Sequence, residues 1–371
     1  MVQFLLGIAR RKAFPAAVAC AALAVLSLVS AGAAPRKSQP KEKPATAGGP
    51  ELLLLGGRKL SYDRSFASER DVRPARGFWK RTLAIVAGEP EFHALVRPYS
   101  IVTDSHGRII VTDPGAAGVH IFDFPRQKYK FLTRREEGQA AMLAPQCVAV
   151  DARDNIYVTD SEAGTIFVFE ASGKFSRVIG SLKYGEGFFK RPTGIAVDSA
   201  AQRIYVTDTL RNQIFMLDLQ GNVLQRIGKQ GQGDGEFNLP TELRLDGENL
   251  LVVDALNFRV QVLNRSGVFL YSVGTIGDGT GRMFRPKGVA VDSEGDLYVV
   301  DGFWGVVQAF NRKGQLLYYF GNRGSGAGQF LLPTGLFIDH DDRIYVADSY
   351  NHRIQVYRFY GLSPQRQGGM P

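Results

Sequence analysis

The sequence predicts an all-β fold, a β-propeller of six four-stranded blades, because two markers recur in one register. The first marker is Val-x-Asp, which ends at Asp113, Asp160, Asp208, Asp254, Asp301 and Asp348. The second is a proline followed six residues later by aspartate, which begins at Pro98, Pro145, Pro192, Pro240, Pro286 and Pro333. A period of roughly 40 to 50 residues with four strands is typical of a propeller blade. Six periods therefore predict six blades.

Each repeat contains four short stretches with strand character. In the third repeat these are residues 193–198, 203–208, 213–217 and 223–228, with Gly, Asp and Asn turns between them. Short apolar or alternating stretches bounded by turn residues are typical of antiparallel strands, and no stretch of the repeats has a helical period. An apolar residue stands three positions before each proline, and we expect this ring to be core between blades.

The sixth repeat ends near residue 359 with only three strands, so a strand from the N-terminus is expected to complete it. Residues 83–88 match the pattern of 223–228 and precede the first proline marker, and we expect residues 81–88 to close the last blade. Joining both chain ends in one sheet removes an open sheet edge. Residues 51–80 have no counterpart in the repeats and form an unassigned extension.

Residues 1–34 are typical of an export signal. Arg10, Arg11 and Lys12 precede an uncharged apolar stretch, and Ala31-Gly32-Ala33 suits a signal peptidase. An uncleaved membrane anchor over residues 13–34 is the alternative, since the stretch is long enough to cross a bilayer. Residues 35–50 are expected to form a flexible linker, residues 81–360 the propeller and residues 361–371 a tail. We expect an exported protein, periplasmic or extracellular.

The net charge is weak evidence for a polyanionic partner. The chain carries +9, but residues 1–50 hold seven of its 45 basic residues and one of its 36 acidic residues, which leaves +3 for residues 51–371. Nucleic acid is therefore not an expected partner. Cys20 lies in the leader and Cys147 stands alone after it. This excludes a disulfide framework and a cysteine-based zinc site in the mature chain.

The repeats resemble NHL repeats. The resemblance is carried by residues 191–198 (RPTGIAVD), 344–348 (IYVAD) and 351–356 (NHRIQV), and it covers residues 81–360. It implies a six-bladed propeller but no single function, because similar propellers serve as protein-binding scaffolds, RNA readers, sensor ectodomains and, in a lyase branch, zinc enzymes.

The zinc of the lyase branch is held by several histidines, whereas the histidines here are dispersed over the repeats. They stand at His93, His106, His120, His340 and His352. At best His106 and His340, in adjacent blades, could approach each other. We therefore expect neither a metal nor a cofactor.

Function is sought where the repeats differ. The regular aspartates are expected to hold turns by accepting backbone hydrogen bonds. The loops before the prolines and those between the second and third strands should meet at one mouth of the central channel. On this channel-mouth face, the candidate binding residues are Arg97, Tyr99, Cys147, Arg191, Arg211, Glu242, Arg244, Phe258, Arg259, Arg285, Lys287, Phe303, Trp304, Tyr350 and Arg353.

Interleaved Arg and aromatic side chains are typical of recognition surfaces. Alternatives remain open for several of them. Arg259 and Arg353 could bond loop carbonyls between blades. Glu242 and Arg244 point to the same side of one strand, where they could form a structural ion pair or hold a polar substrate. Cys147 is either a small buried side chain or a nucleophile without an identified base.

The function predicted from the sequence is a noncatalytic protein-binding or scaffolding propeller of the cell envelope, which uses the channel-mouth face. Its partner is expected to be a protein, with membrane contact only through a possible N-terminal anchor. The alternative is an envelope hydrolase or lyase with its active site at the channel mouth, around Glu242, Arg244 and Cys147. Replacing Glu242 discriminates between the two.

Overall fold

The computed structural model describes residues 49–54, 57–73, 92–133, 141–180 and 187–361. Within these ranges the chain forms β-strands and short 3₁₀ helices at Glu69–Asp71, Thr209–Arg211, Ala255–Asn257 and Ser349–Asn351. None of these described helices has the length and apolar character needed to cross a membrane. The expected export signal or anchor and most of the linker lie outside the described residues.

The strands form the six predicted blades, each an antiparallel sheet. Blade 1 contains β3 (Ile101–Thr103), β4 (Ile109–Asp113), β5 (Gly118–Asp123) and β6 (Lys128–Leu132). Blade 2 contains β7 (Pro145–Val150), β8 (Ile156–Asp160), β9 (Thr165–Phe169) and β10 (Phe175–Ile179). Blade 3 contains β11 (Pro192–Asp198), β12 (Arg203–Asp208), β13 (Gln213–Asp218) and β14 (Val223–Ile227).

The second half of the ring repeats this pattern. Blade 4 contains β15 (Pro240–Asp246), β16 (Asn249–Asp254), β17 (Arg259–Asn264) and β18 (Phe269–Val273). Blade 5 contains β19 (Pro286–Val291), β20 (Leu297–Asp301), β21 (Val306–Phe310) and β22 (Leu316–Phe320). A two-stranded ribbon, β23 (Asn322–Arg323) and β24 (Gln329–Phe330), precedes β25 (Leu336–Ile338), β26 (Arg343–Asp348) and β27 (Arg353–Tyr360) of blade 6.

Blade 6 is completed by an N-terminal strand, as predicted, but by a different segment. β2 (Lys59–Phe66) pairs antiparallel with β27, from Lys59 opposite Tyr360 to Phe66 opposite Ile354. β1 (Glu51–Leu53) adds a fifth strand outside β2. The segment expected to close the blade, residues 81–88, lies outside the described residues, and β2 takes its place on β27. Because β2 buries only Leu60 and Phe66, its apolar pattern is too weak to reveal the strand.

The apolar side chains three residues before each proline belong to the core, as predicted. All six side chains are buried: Leu95, Met142, Phe189, Phe237, Met283 and Phe330. Phe237, for example, packs against Tyr205 of blade 3 and Leu250 of blade 4. These six buried side chains therefore fill the boundaries between neighbouring blades.

The regular aspartates hold loops, as predicted. Asp113 accepts hydrogen bonds from the backbone N–H groups of Val96 (2.6 Å) and Arg97 (2.9 Å). The strand-ending carboxylates of blades 2 to 6 bind the loop before their own proline in the same way. In the second set, Asp151 accepts from the N–H groups of Arg153 and Asn155 within a tight turn. The first set fixes the loops that carry the channel-mouth side chains.

Candidate binding site at the channel mouth

Backbone geometry directs side chains into the channel mouth just after each proline. In blades 2 to 5 the pairing of the first two strands shifts register there, for example between Pro286 and Val289. Such a bulge re-aims the side chains that it carries. The shifted positions include Cys147, Glu242 and Lys287, which explains how residues of three different blades reach the same channel.

A cavity of about 310 Å³ opens at the centre of this face. We call it the channel-mouth cavity, and six predicted site residues line it: Arg97, Tyr99, Arg191, Arg285, Lys287 and Tyr350. The three arginines belong to blades 1, 3 and 5, so cations approach the cavity from alternate blades. The structure thus brings together the basic part of the predicted site.

The described residues supply no carboxylate to the cations of the channel-mouth cavity. Within the described part of the chain, no carboxylate pairs with Arg97, Arg191, Arg285 or Lys287. Burial, followed by the neighbouring guanidinium groups of Arg285 and Arg191, lowers the pKa of Lys287 to about 8. Burial raises the pKa of Tyr99 well above its ordinary value of 10, so the phenol is a neutral hydrogen-bond donor.

A polar network crosses the channel at Glu242, Arg244 and Cys147. Arg244 Nε lies 2.9 Å from Glu242 Oε1. Arg244 Nη2 donates to the carbonyl oxygens of Ile101 (3.0 Å) and Leu336 (3.4 Å). Because Arg244 is in blade 4 and Ile101 is in blade 1, opposite in a ring of six, this bond spans the channel. Glu242 and Arg244 form the structural ion pair that the sequence allowed as one alternative.

Cys147 belongs to the same network. Its Sγ donates to Glu242 Oε2 at 3.0 Å, and the side chain is buried. Burial and the negative charge of Glu242 raise the pKa of the Cys147 thiol. A nucleophilic cysteine needs a lowered pKa, so this thiol is unsuited to nucleophilic catalysis at neutral pH.

Three of the predicted binding arginines are used inside the fold. Arg259 Nε lies 3.0 Å from Asp254 Oδ2, and its Nη2 donates to the carbonyl oxygen of Gly233 at 2.7 Å. Arg353 makes the equivalent contacts with Asp348 (2.8 Å) and the Gly326 carbonyl (2.7 Å). These two arginines therefore bond loop carbonyls, as the structural alternative predicted. Each also lies directly across the β-ladder from its aspartate, which explains the ion pair.

Arg211 is likewise engaged, with Nη1 3.2 Å from Asp208 Oδ2. Its guanidinium also lies over the rings of Phe188 and Phe215, at 5.3 and 5.5 Å from the ring centroids. These contacts tie the Arg211 side chain to blade 3. It is therefore not a free cation of the channel-mouth face.

The predicted aromatic residues of blades 4 and 5 form a cluster around Phe284, which sequence reasoning missed. The ring centroid of Phe284 lies 4.6 Å from that of Phe303 and 6.3 Å from that of Phe258. Phe303 and Trp304 meet edge to face at 5.0 Å. Phe284, Phe303 and Trp304 are nevertheless exposed, so the cluster presents a stiff apolar surface.

The cluster is part of a wider set of exposed apolar side chains on this face, which we call the apolar ring. Three members stand two residues before a proline: Val96, Leu143 and Phe284. Five stand two or three residues after a strand-ending aspartate: Leu210, Leu256, Phe303, Trp304 and Tyr350. Their exposed fractions are 37 to 52%, and the described turns of the opposite face expose only Val268 to this degree. Sequence reasoning missed five of the eight, although their shared positions are visible in the repeats.

The described histidines do not converge. His106 Nδ1 lies 3.0 Å from Asp154 Oδ2, and Asp104 is close enough that the three could hold a metal ion. Ser105 also donates to Asp154, and the same Ser–Asp contact recurs between Ser293 and Asp342 without a histidine. The Ser–Asp hydrogen bond therefore links adjacent blades, and it does not depend on a histidine.

His340 lies away from this group, exposed and 3.5 Å from Asp341. His120 is buried, with Nε2 3.4 Å from Asp113 Oδ2 and Nδ1 2.8 Å from the Tyr129 hydroxyl. The hydrogen bond from His120 contributes to lowering the pKa of Asp113, whose burial acts in the opposite direction. His106 and His340 are thus not brought together.

Family comparisons match separate parts of the chain. The NHL repeat model matches residues 143–169 and 330–357, in blades 2 and 6. A family model described as a 6-bladed beta-propeller, DUF5128, matches residues 196–256. No curated protein matches the sequence.

Solved structures of similar fold include a streptogramin B lyase, with 14% identity and a TM-score of 0.52 over 72% of this chain and 94% of the lyase. A protein of unknown function from Bacteroides thetaiotaomicron shares 18% identity at a TM-score of 0.55, and an auxiliary nutrient binding protein from Bacteroides ovatus shares 16% at 0.54. Each of these two alignments covers 72% of this chain and 70% of the other. At these identities the likeness concerns the fold. The six antiparallel blades, together with the NHL repeats matched in blades 2 and 6, identify the chain as an NHL-repeat six-bladed β-propeller.

Proposed function

We propose that the chain is a noncatalytic protein-binding module that contacts its partner through the channel-mouth face. The apolar ring is the observation that carries this proposal. Soluble monomers rarely gather large exposed apolar side chains on one surface, and such patches mark interaction sites. A partner that covers the ring removes its members from water, which favours association.

The aromatic cluster is the expected centre of the binding energy. Trp304 and Phe303 are held edge to face, so little side-chain freedom is lost on binding. The channel offers little support for the hydrolase or lyase alternative, because Cys147, Glu242 and Arg244 bond to one another. A binding function needs none of them to be reactive.

The place of action belongs to the same proposal. The leader at residues 1–34 supports export, and the +3 charge of residues 51–371 gives no reason to invoke nucleic acid. We therefore place the protein partner in the cell envelope or outside the cell. Fractionation of native cells tests this, and recovery of the full chain in the cytoplasm contradicts it.

Site-specific photo-crosslinking tests the binding face. A photoreactive amino acid is placed in the full chain at Leu256 or Tyr350, with Val268 on the opposite face as the matched control, and the chains are expressed in native cells. We expect a defined protein adduct from the first two positions and none from Val268. Adducts of equal yield from all three positions, or none from Leu256 and Tyr350, would contradict the proposal.

A substitution provides the second arm of this test. Trp304→Ala should reduce the adduct from Tyr350 by about thirtyfold, since truncating a central aromatic anchor commonly costs about 2 kcal/mol. Val268→Ala is the control and should leave the yield unchanged. Both variants should melt like the parent chain, because neither side chain is buried.

A further inference from the structure

The cations of the channel-mouth cavity differ from the other arginines of the same face. Arg211, Arg259 and Arg353 each pair with an aspartate of their own blade, and Arg244 pairs with Glu242. The fold thus supplies a carboxylate to arginines that serve its loops and channel. Arg97, Arg191 and Arg285 receive none among the described residues, although they line one cavity. Their charge is available to a ligand.

Holding these groups together without an anion is unfavourable. Like charges at short range repel each other, and the half-buried Lys287 is partly removed from the water that screens the three exposed arginines. The lowered pKa of Lys287 reflects both effects. Unfavourable arrangements of this kind cluster at binding sites, where the ligand supplies the missing charge.

The shape of the cavity limits the ligand. A volume of about 310 Å³ lies at the lower end of the range of roughly 300–1,000 Å³ that small-molecule pockets occupy. Leu332 and Pro333 give part of the wall an apolar surface, which favours a carbon skeleton over a fully hydrated ion. Tyr99 and Gln146 add neutral hydrogen-bonding groups.

The arrangement of the three arginines also limits which ligand can bind in the cavity. They enter from blades 1, 3 and 5, so they suit several separate anionic groups better than one tetrahedral anion. A guanidinium fork matches the two oxygens of a carboxylate. The carboxylate of Glu242, which shares the channel, is already neutralised by Arg244 and does not oppose an anion.

We propose that the channel-mouth cavity binds a compact ligand with two or three carboxylates, which meet the guanidinium groups of different blades. The carboxylates belong either to a free small molecule or to clustered Asp and Glu side chains of a polypeptide. This site goes beyond the protein-binding function and does not require it, because Tyr350 is the one residue that the cavity lining shares with the apolar ring among the described residues.

Isothermal titration calorimetry of the purified full chain at pH 7 tests the site. The ligands are propane-1,2,3-tricarboxylate, the tripeptide Glu-Glu-Glu and inorganic phosphate. We expect saturable one-to-one binding of the tricarboxylate, weakened at least tenfold in Arg191→Gln and in Lys287→Met. Arg153→Gln, an exposed arginine in a turn of the opposite face, is the matched control and should bind like the parent.

The outcomes separate the sources of the carboxylates. A tripeptide that competes as well as the tricarboxylate assigns the site to acidic side chains, and one that fails to compete assigns it to a free polycarboxylate. The proposal is overturned if neither carboxylate ligand saturates the protein by about 10 mM. It is also overturned if phosphate binds more tightly than either, or if Arg191→Gln and Lys287→Met keep full affinity while they melt at or above the temperature of the parent. The photo-crosslinking result at Leu256 does not depend on these outcomes, because Leu256 does not line the cavity.

Discussion

Replacing Arg244 by methionine should destabilise the whole propeller. The guanidinium contacts the buried Glu242 carboxylate at 2.9 Å and reaches backbone carbonyls of blades 1 and 6. Methionine keeps most of the aliphatic stem but removes the charge and the donors. Glu242, with a side chain only 3% exposed, is then left with the Cys147 thiol as its hydrogen-bond donor.

The expected loss is large because the change breaks one half of a buried pair. Removing one partner of such a pair costs about 3 to 5 kcal/mol, and the 12% exposure of Arg244 places this case near 3 kcal/mol. In the double variant Glu242→Gln/Arg244→Met no unpaired charge remains, so most of the loss should be recovered. The coupling between the two positions should therefore be about 2 kcal/mol.

Urea unfolding of the full chain measures these quantities for the parent, both single variants and the double variant. Arg153→Gln serves as a surface control. In thermal unfolding, a loss of about 3 kcal/mol should lower Tm by about 5–10 °C. A loss below about 1 kcal/mol in Arg244→Met, or additive effects in the double variant, would refute a stabilising role and favour a pair that holds substrate.

Three further predictions concern Lys287, Cys147 and β2. Lys287→Met should stabilise the protein at pH 7, since the charged lysine is disfavoured in the folded state. The lysine pKa falls from 10.5 to about 8 on folding. The gain in the free energy of unfolding should therefore be full below pH 8 and vanish as pH rises towards 10.5. Thermal melts across this range check it, and a gain that grows with pH contradicts it. Iodoacetamide at pH 7.5 should alkylate Cys147 at least about 100-fold faster in the unfolded than in the native chain, because burial raises the thiol pKa; comparable rates would exclude a buried thiol. Deleting residues 1–66 should abolish the cooperative melt of the ring, whereas deleting residues 1–48 should leave it intact, and identical circular dichroism melts would show that β2 does not close the ring.

The fold could be predicted because its two sequence markers, the proline and the strand-ending aspartate, belong to the same pair of strands in a blade. Pro192 pairs with Asp208 across the first two strands of blade 3, and the same pairing recurs in blades 2, 4 and 5. The proline begins the first strand, and the aspartate ends the second and binds the loop before the proline. Both residues recur in every blade, so their common period reveals the architecture.

The closing strand could not be predicted because outer strands have little apolar content. In β14 only Ile227 is buried, while Val223 and Leu224 are exposed. The sequence of one outer strand is therefore a poor template for finding another outer strand. Residues 83–88 resemble β14 in apolar composition, whereas the polar β2 does not.

The basic cavity was predictable from position, whereas the sequence analysis left two roles open for Arg259 and Arg353. Lys287 and Arg191 flank prolines at the channel and face its mouth, as their position indicates. Arg259 stands five residues after Asp254, and in a hairpin of this register the two are cross-strand partners. The structural role of Arg259 could thus have been derived from the hairpin itself.

The pairing of Lys59 with Tyr360 has a consequence for how the chain comes together over time. β2 is among the first strands to be synthesised, but it can pair only with β27, which is synthesised about 300 residues later. Closing a loop of that length is entropically unfavourable and slow. Until translation ends, the nascent chain holds blades but no ring.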